Sequence, residues 1–186
     1  MHPKLKTGTL IKVEYFSGSK NVNNERGEQK VCEHLDELNI SYQKHSHPAV
    51  YTVEEAQQHR GSITGGQAKN LFLRNAKGSL HYLVVLEHSK QLDIRSLQTR
   101  IGAGKLSFAS ERRLEKYLGL TPGSVSPFGL INDSKHEVLV YIDSDLMEYD
   151  QVNFHPNVNT ATYTISSEDF RRFLENAGNK VTFLRL

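Results

Sequence analysis

The segment KNLFLRNAKGSLHYLVVLEH, residues 69–88, decides how this chain folds. Two apolar runs, 71–73 and 80–86, flank the stretch from Asn75 to Gly78, and Asn and Gly are residues that tight turns favour. The segment therefore predicts a β-hairpin, which starts a sheet.

The sequence before the hairpin predicts two helices and a short strand. Apolar residues recur at helical spacing from residue 28 to 38, and Asn39 is placed to end that helix. Ile40 and Tyr42 alternate as in a strand. Thr52 to Glu55 forms a capping box, in which Thr and Glu satisfy each other's backbone amides, so a second helix is expected there.

Helices and strands follow the hairpin in irregular order. Three helices are predicted, over 94–101, 111–118 with Ser110 as cap, and from Ser166 or Ser167 to 177. Strands are predicted over 138–142, 152–154, 161–165 and 181–186. This order favours a mixed sheet flanked by helices over a regular doubly wound sheet.

Length and composition indicate an ordinary globular protein. The 186 residues fit one domain, and 37% hydrophobic with 24% charged residues excludes a disordered or collagen-like chain. The single cysteine, Cys32, cannot form an internal disulfide, and no C-x-x-C pair suggests structural zinc. No apolar run is long enough to span a membrane, and no secretory signal is evident, so a cytoplasmic protein is expected.

Charge is distributed unevenly along the chain. The formal net charge is +2, but residues 1–27 carry five basic against two acidic residues. That polar, turn-rich stretch, with Asn and Ser residues between 17 and 24, predicts an N-terminal extension followed by one domain over 28–186. The near-neutral net charge of the domain does not indicate a strongly basic groove.

Three short motifs were weighed against simpler interpretations. Residues 101–105 resemble a phosphate loop, but Thr99 and Leu106 occupy positions where a Walker A motif needs Gly and Ser or Thr, so a helix end is favoured. His45 and His47 would share one face of a strand and could bind a metal, but no third ligand is apparent and a polar edge explains them. Cys32 lies in an amphipathic helix, where a buried thiol is inert.

The segment from Gly123 to Pro127 is the strongest candidate for chemistry. A Gly and a Pro at the two ends of a five-residue segment hold a loop in a defined shape, and four backbone N–H groups could then point inward to bind an oxyanion. The alternative is a plain connection to the next strand. Lys69 at a strand entrance and His155 at a strand end are polar candidates that could instead be ordinary surface and turn residues.

Taken together, these segments resemble the bacterial editing domains that deacylate mischarged prolyl-tRNA, the YbaK and ProX type that is also inserted in prolyl-tRNA synthetases. The resemblance covers about residues 28–178. The matching segments are 47–56, 69–74, 108–111, 118–119, 122–129, 132–133, 154–157, Thr160, 165–166 and 169–170.

The resemblance implies an α/β (α+β) fold with a mixed, partly barrel-like sheet, and an enzyme that removes alanine from tRNA(Pro), as the ProX branch does. It implies no metal or cofactor. The implied partners are the aminoacylated end of tRNA(Pro) and prolyl-tRNA synthetase, and neither a membrane nor DNA is expected as a partner. The implied catalytic residues are Lys69, Gly123, Ser124, Val125 and Ser126, and the implied substrate-binding residues are Thr52, Pro127, Asn132, Asp133 and His155.

Two alternatives stay open at this stage. The same fold could act on another mischarged aminoacyl-tRNA that carries cysteine or serine, because the volume of the amino-acid pocket determines which amino acid is removed. A member without hydrolysis could be a tRNA-binding or regulatory module. Arg74, Arg112 and Lys116 are candidates for acceptor-stem contacts.

Overall fold

A computed structural model describes residues 19–48 and 63–186 of the chain, with side chains from residue 26 onward. Its α-helices are α1 (Ser19–Glu37), α2 (Ile94–Arg100), α3 (Glu111–Leu118) and α4 (Ser167–Ala177), and 3-10 helices span Pro127–Asn132 and Ser144–Glu148. Its strands are β1 (Gln43–Ser46), β2 (Gly66–Asn75), β3 (His81–Glu87), β4 (Leu106–Phe108), β5 (Val138–Asp143), β6 (Gln151–Phe154), β7 (Ala161–Ser166) and β8 (Val181–Leu184).

These strands form one mixed sheet in the order β1-β7-β6-β2-β3-β5-β8, with β4 also paired to β2. β2 is the hub, because it pairs antiparallel with β3 over 68–74 and with β4 over 73–75, and parallel with β6 at 66–67. The pairs β3–β5 and β5–β8 are also parallel. This architecture confirms the predicted mixed sheet with flanking helices.

The predicted hairpin is confirmed at its turn. The Asn75 N–H donates to the Leu80 carbonyl at 3.1 Å, and the Gly78 N–H donates to the Asn75 carbonyl at 3.0 Å. Gly78 has φ of +66°, a left-handed conformation that glycine adopts without the steric cost of a side chain. The turn residues therefore fix the register of β2 and β3.

β3 is buried along its whole length because apolar clusters cover both faces of the sheet. Leu83 and Val85 join the larger cluster, to which α1, α3 and α4 contribute their apolar faces. Tyr82 and Val84 face a smaller cluster that includes Leu97 of α2. The central strands are thus held rigidly from two sides, and they carry the site residues described below.

The structure corrects two predictions near the N-terminus. α1 begins at Ser19, so residues 19–24 are helical rather than turn-rich, and the helix predicted from residue 28 starts earlier in the chain. The division into an extension and a domain at residue 28 stays a prediction. β1 starts at Gln43, after the predicted strand residues Ile40 and Tyr42. Ile40 is buried, but its N–H donates to the Leu35 carbonyl at 2.9 Å and closes the end of α1. The predicted helix after Thr52 lies outside the described residues, as does the extension's stretch 1–18.

The helix-end interpretation of residues 101–105 is confirmed. α2 ends at Arg100, Gly102 has φ of +64°, and the Ala103 N–H donates to the Gln98 carbonyl at 3.0 Å. In the described part of the chain, none of the helices has the length and apolar character needed to cross a membrane.

Candidate active site

Asn70 of β2 ties the sheet to the loop from Gly123 to Pro127. Its Nδ2 donates to the Val125 carbonyl oxygen at 2.9 Å, across 55 positions of sequence. The Asn70 Oδ1 is buried and accepts no hydrogen bond within the described residues. A side chain on a rigid strand therefore fixes the middle of the loop and leaves an amide oxygen available beside it.

The loop has a fixed shape because a left-handed glycine and the internal hydrogen bonds of two serines define it. Gly123 has φ of +87°, which an L side chain rarely adopts. The Ser124 N–H and hydroxyl both donate to the Thr121 carbonyl, at 3.1 and 2.9 Å. Ser126 caps the following 3-10 helix by accepting from the Phe128 N–H at 3.2 Å, and Pro127 is its buried first residue.

Three backbone N–H groups of this loop have no acceptor in the part of the chain that the structure describes. They belong to Gly123, Val125 and Ser126. The sequence predicted four such groups, but the Ser124 N–H is used in the turn with Thr121. Adjacent N–H donors held by a rigid turn can bind a carbonyl oxygen and stabilise the negative charge that develops on it.

His155 follows β6 and lines a small depression that we call the His155 pocket. Its Nδ1 lies 2.9 Å from the Ala161 carbonyl oxygen. A carbonyl only accepts, so Nδ1 carries the proton, and in the neutral ring Nε2 is then an acceptor. The centroid of the His155 ring lies 5.8 Å from that of the His47 ring. The pocket is lined by Gln67, Ala68, Asn70, Asn153, Phe154, His155 and Thr162.

The structure therefore brings His155, Asn70 and the loop into one neighbourhood. Asn70 makes the connection, because it lines the His155 pocket and holds the Val125 carbonyl. Asn70 was not among the site residues predicted from the sequence. Its membership of the matching segment 69–74 was the one signal that could have found it.

The Lys69 side chain takes a different course from that of Asn70. Its ammonium donates to the Lys90 carbonyl, and Lys90 pairs with the buried Asp143 at 2.8 Å. Ala68 and Asn70 line the His155 pocket, but Lys69 does not. Successive side chains of a strand point to opposite faces, which explains the difference.

Asn132 and Asp133 close the end of the first 3-10 helix rather than lining the His155 pocket. The Asn132 Nδ2 donates to the Leu118 carbonyl at 2.9 Å. Asp133 is buried, and its Oδ2 accepts from the Val138 N–H and from the Asn179 Nδ2, both at 2.8 Å. Both side chains thus hold the fold together in this structure.

His45 and His47 both reach hydroxyl groups of β7. The His45 Nε2 lies 3.0 Å from the Thr164 Oγ1, and the His47 Nε2 lies 3.1 Å from the Thr162 Oγ1. The two rings therefore share one side of β1, as their spacing predicted. Thr52, the remaining candidate for substrate binding, lies outside the described residues.

Two of the basic residues predicted for acceptor-stem contacts, Arg74 and Lys116, contact other groups in the structure. The Arg74 guanidinium donates to the Asn75 and Ala76 carbonyls of the hairpin turn, each at 3.0 Å. The Lys116 Nζ lies 4.8 Å from the centroid of the Tyr117 ring. Their part in binding RNA stays a prediction.

Comparison with known proteins supplies the context for this geometry. A family model described as "Aminoacyl-tRNA editing domain" matches residues 47–173. The chain is 46% identical over 158 residues to the prolyl-tRNA editing protein ProX of Acetoanaerobium sticklandii, a match that covers 85% of this chain and 96% of that protein. It is 36% identical over 137 residues to prolyl-tRNA synthetase associated domain-containing protein 1 of Bos taurus, covering 72% and 80%.

A solved structure supports the fold independently. A crystal structure described as a proposed trans-editing enzyme for prolyl tRNA synthetase superposes on this chain with a TM-score of 0.64. The match covers 86% of this chain and 97% of the other at 22% identity. At that identity the likeness concerns the fold alone.

Proposed function

The chain belongs to the aminoacyl-tRNA editing domain family, and we propose that it is a trans-acting deacylase that hydrolyses the ester of mischarged Ala-tRNA(Pro). The observation that carries this proposal is the set of three unpaired N–H groups on the loop from Gly123 to Pro127, which Asn70 anchors beside His155. The relative named prolyl-tRNA editing protein supports the choice of substrate. The substrate partner is the aminoacylated end of tRNA(Pro), and we place the activity in the cytoplasm, where prolyl-tRNA synthetase makes the errors.

The reaction needs no protein nucleophile, because an aminoacyl ester is already reactive. A water oxygen attacks the ester carbonyl carbon, and the carbonyl electrons move onto the oxygen, which faces the N–H groups of Gly123, Val125 and Ser126. The ester C–O bond then breaks, and the ribose oxygen leaves with the water's proton, which gives alanine and tRNA. Loss of a single such donor typically slows acyl transfer about 10² to 10³-fold. The neighbouring ribose hydroxyl can position the attacking water.

His155 and Asn70 form the polar wall of the amino-acid site in this proposal. The bond to Ala161 fixes the orientation of the imidazole ring at the edge of the pocket. The Asn70 side chain lies beside it and holds the loop through the Val125 carbonyl. In this proposal the α-ammonium group of the substrate lies against this polar wall.

We assign Lys69 a supporting part that its observed bond makes testable. In this structure its ammonium is held by the Lys90 carbonyl. For contact with substrate its ammonium would leave the Lys90 carbonyl and bind a phosphate as a point charge. If Lys69 instead only holds Lys90, Lys69→Ala lowers thermal stability and leaves kcat per folded molecule unchanged.

Specificity follows from size. A synthetase pocket built for proline excludes the smaller alanine weakly, because methylene-sized differences are worth only about 1 to 3 kcal/mol. A second site that admits the methyl side chain and excludes the pyrrolidine ring removes the error. The His155 pocket is the proposed second site, with His155 and Phe154 as walls.

The test is release of labelled alanine from Ala-tRNA(Pro), run beside Cys-, Ser- and Pro-tRNA(Pro). We expect rapid loss of alanine only, abolished in Gly123→Ala, whose Cβ would force the loop out of its φ of +87°. Gly104→Ala is a matched control, because a Cβ there meets nothing within 4 Å. Release of cysteine or serine instead would move the assignment to that amino acid. Intact esters of all four would refute hydrolysis and favour a binding module.

A further inference from the structure

A second depression is bonded to the loop through Thr121, and we call it the basic groove. Its volume is about 390 Å³. One wall is α1, and the other is the end of α3 with the residues that follow it. The residues used in the argument are Arg26, Gly27, Lys30, Glu115, Thr121 and Asn157.

The basic groove carries an excess of positive charge. Arg26 and Lys30 are four residues apart on α1, so they project from the same face of the helix. Both are exposed, and neither forms an ion pair within the described residues, whereas Glu115 is the single carboxylate in the lining. The α1 carboxylate of Glu28 pairs elsewhere, with the Lys44 Nζ at 2.6 Å. Two unpaired cations on one wall favour an anionic ligand.

Glycine keeps the floor of the basic groove open. Gly27 lies inside α1, where glycine costs about 1 kcal/mol relative to alanine. A Cβ at this position would meet the Asn157 carbonyl oxygen at 3.5 Å and the Asn157 Cβ at 3.6 Å, which are ordinary contact distances. Packing therefore does not demand glycine here. What the missing methyl provides is space between α1 and Asn157.

The basic groove is connected to both parts of the candidate active site. Thr121 on its wall accepts from the Ser124 N–H and hydroxyl, so it is bonded directly to the loop. Asn157 on its floor donates its N–H to the His155 carbonyl at 2.9 Å. A polymer whose end enters the site between the loop and His155 would therefore pass over this groove.

We propose that the basic groove binds backbone phosphates of the tRNA acceptor strand, next to the terminal aminoacyl adenosine. This inference rests on the proposed function for the identity of the ligand. Arg26 and Lys30 supply the cations for the phosphates, and the open floor at Gly27 gives the strand room to approach. The contribution is electrostatic and independent of base sequence.

The first test measures binding of an uncharged tRNA(Pro) transcript to the full chain at several salt concentrations. We expect R26A/K30A to bind at least 10-fold more weakly, with the slope of log affinity against log salt reduced by about 1.5, as expected for two lost phosphate contacts. The matched control is K105A/K180A, which removes two exposed lysines that do not line the groove. The control should bind within two-fold of the unsubstituted chain.

Two further readouts separate this role from a merely structural one. In deacylation of Ala-tRNA(Pro), R26A/K30A should raise KM at least 10-fold with kcat within two-fold, because the groove holds the strand and not the ester. Gly27→Ala should raise the melting temperature, since alanine favours the helix, while weakening tRNA binding by narrowing the groove.

The inference is overturned if R26A/K30A binds the transcript as tightly as the unsubstituted chain, or if K105A/K180A loses as much affinity. Its failure is distinguishable from failure of the proposed function. A chain that binds tRNA through the groove but releases no amino acid would refute deacylation alone. A chain that releases alanine with an unchanged KM in R26A/K30A would refute the groove alone.

Discussion

Replacing Asn70 with alanine is predicted to lower kcat for Ala-tRNA(Pro) deacylation about 100-fold while changing the free energy of unfolding by less than about 1 kcal/mol. The substitution removes the bond from Nδ2 to the Val125 carbonyl, which is the side-chain link from β2 to the loop. The loop would then keep its internal turn but lose its position relative to His155. Asn70 is a positioning residue in this prediction.

The predicted changes in the free energy of unfolding and in kcat have separate physical causes. A lost hydrogen bond costs about 0.5 to 1.5 kcal/mol, but the substitution also removes the Asn70 Oδ1, whose burial without a partner costs about 1 to 3 kcal/mol. These terms oppose each other, so stability changes little. Catalysis has no such compensation, because a shift of about 1 Å in the N–H donors is enough to cost about 10²-fold in rate.

The assay compares kcat and KM with urea unfolding for Asn70→Ala and for Asn75→Ala. Asn75 lies on the same strand, but its Oδ1 accepts from the Ser79 and Leu80 N–H groups of the hairpin turn. We therefore expect Asn75→Ala to lose stability and keep its kcat per folded molecule. If the loss of folded protein alone accounts for the fall in kcat of Asn70→Ala, the positioning role is refuted.

Two other predictions concern single groups. Burial, with the nearby Arg113 charge, lowers the pKa of His81 to about 4. Below pH 6.5 the unfolded chain binds a proton at His81 that the folded chain does not, so protonation opposes folding. The free energy of unfolding should therefore fall as the pH drops from 6.5 towards 4, by up to about 1.4 kcal/mol per pH unit. Urea midpoints measured between pH 4.5 and 7.5 should show this slope and lose it in His81→Phe; an equal slope in the variant would contradict the assignment. Gly123→Ala should lower the free energy of unfolding by about 1 to 2 kcal/mol, because a non-glycine residue is strained at φ of +87° while its Cβ meets only the Asn159 Nδ2, at 3.8 Å. An unchanged urea midpoint would show that the loop changes conformation at little cost.

The fold could be predicted where local chemistry determined it. The hairpin depended on turn residues at Asn75 to Gly78, and α3 and α4 end at Gly119 and Gly178, which have φ of +64° and +74°. β1 was misplaced because its residues, Gln43–Ser46, are polar and mostly exposed, so no alternation of apolar side chains marks them. The first turns of α1 are rich in Asn and Ser, which mimic a linker.

The site was harder to predict, because contacts distant in sequence decide which candidates meet. Asn70 and Val125 are joined by one hydrogen bond that no local pattern signals. Lys69 and Asn70 are adjacent in sequence, yet the pleat of β2 sends one side chain to Lys90 and the other to the pocket. The family resemblance makes Asp133 a candidate for substrate binding, whereas here its carboxylate accepts hydrogen bonds from Val138 and Asn179.

If the proposed mechanism holds, a loop motif is more informative about this site than any reactive side chain. When backbone N–H groups stabilise the oxyanion, the residues that matter are those that shape the turn, and the shape of this turn depends on Gly123 and Pro127 at its ends. Such residues look like an ordinary connection until the partner that fixes the turn is known. Asn70 is that partner, because a turn bonded to a strand whose Phe72 and Leu73 anchor in two apolar clusters cannot drift as an ordinary connection can. In the proposed mechanism, rigidity supplied by the sheet is therefore what makes plain backbone amides competent for catalysis.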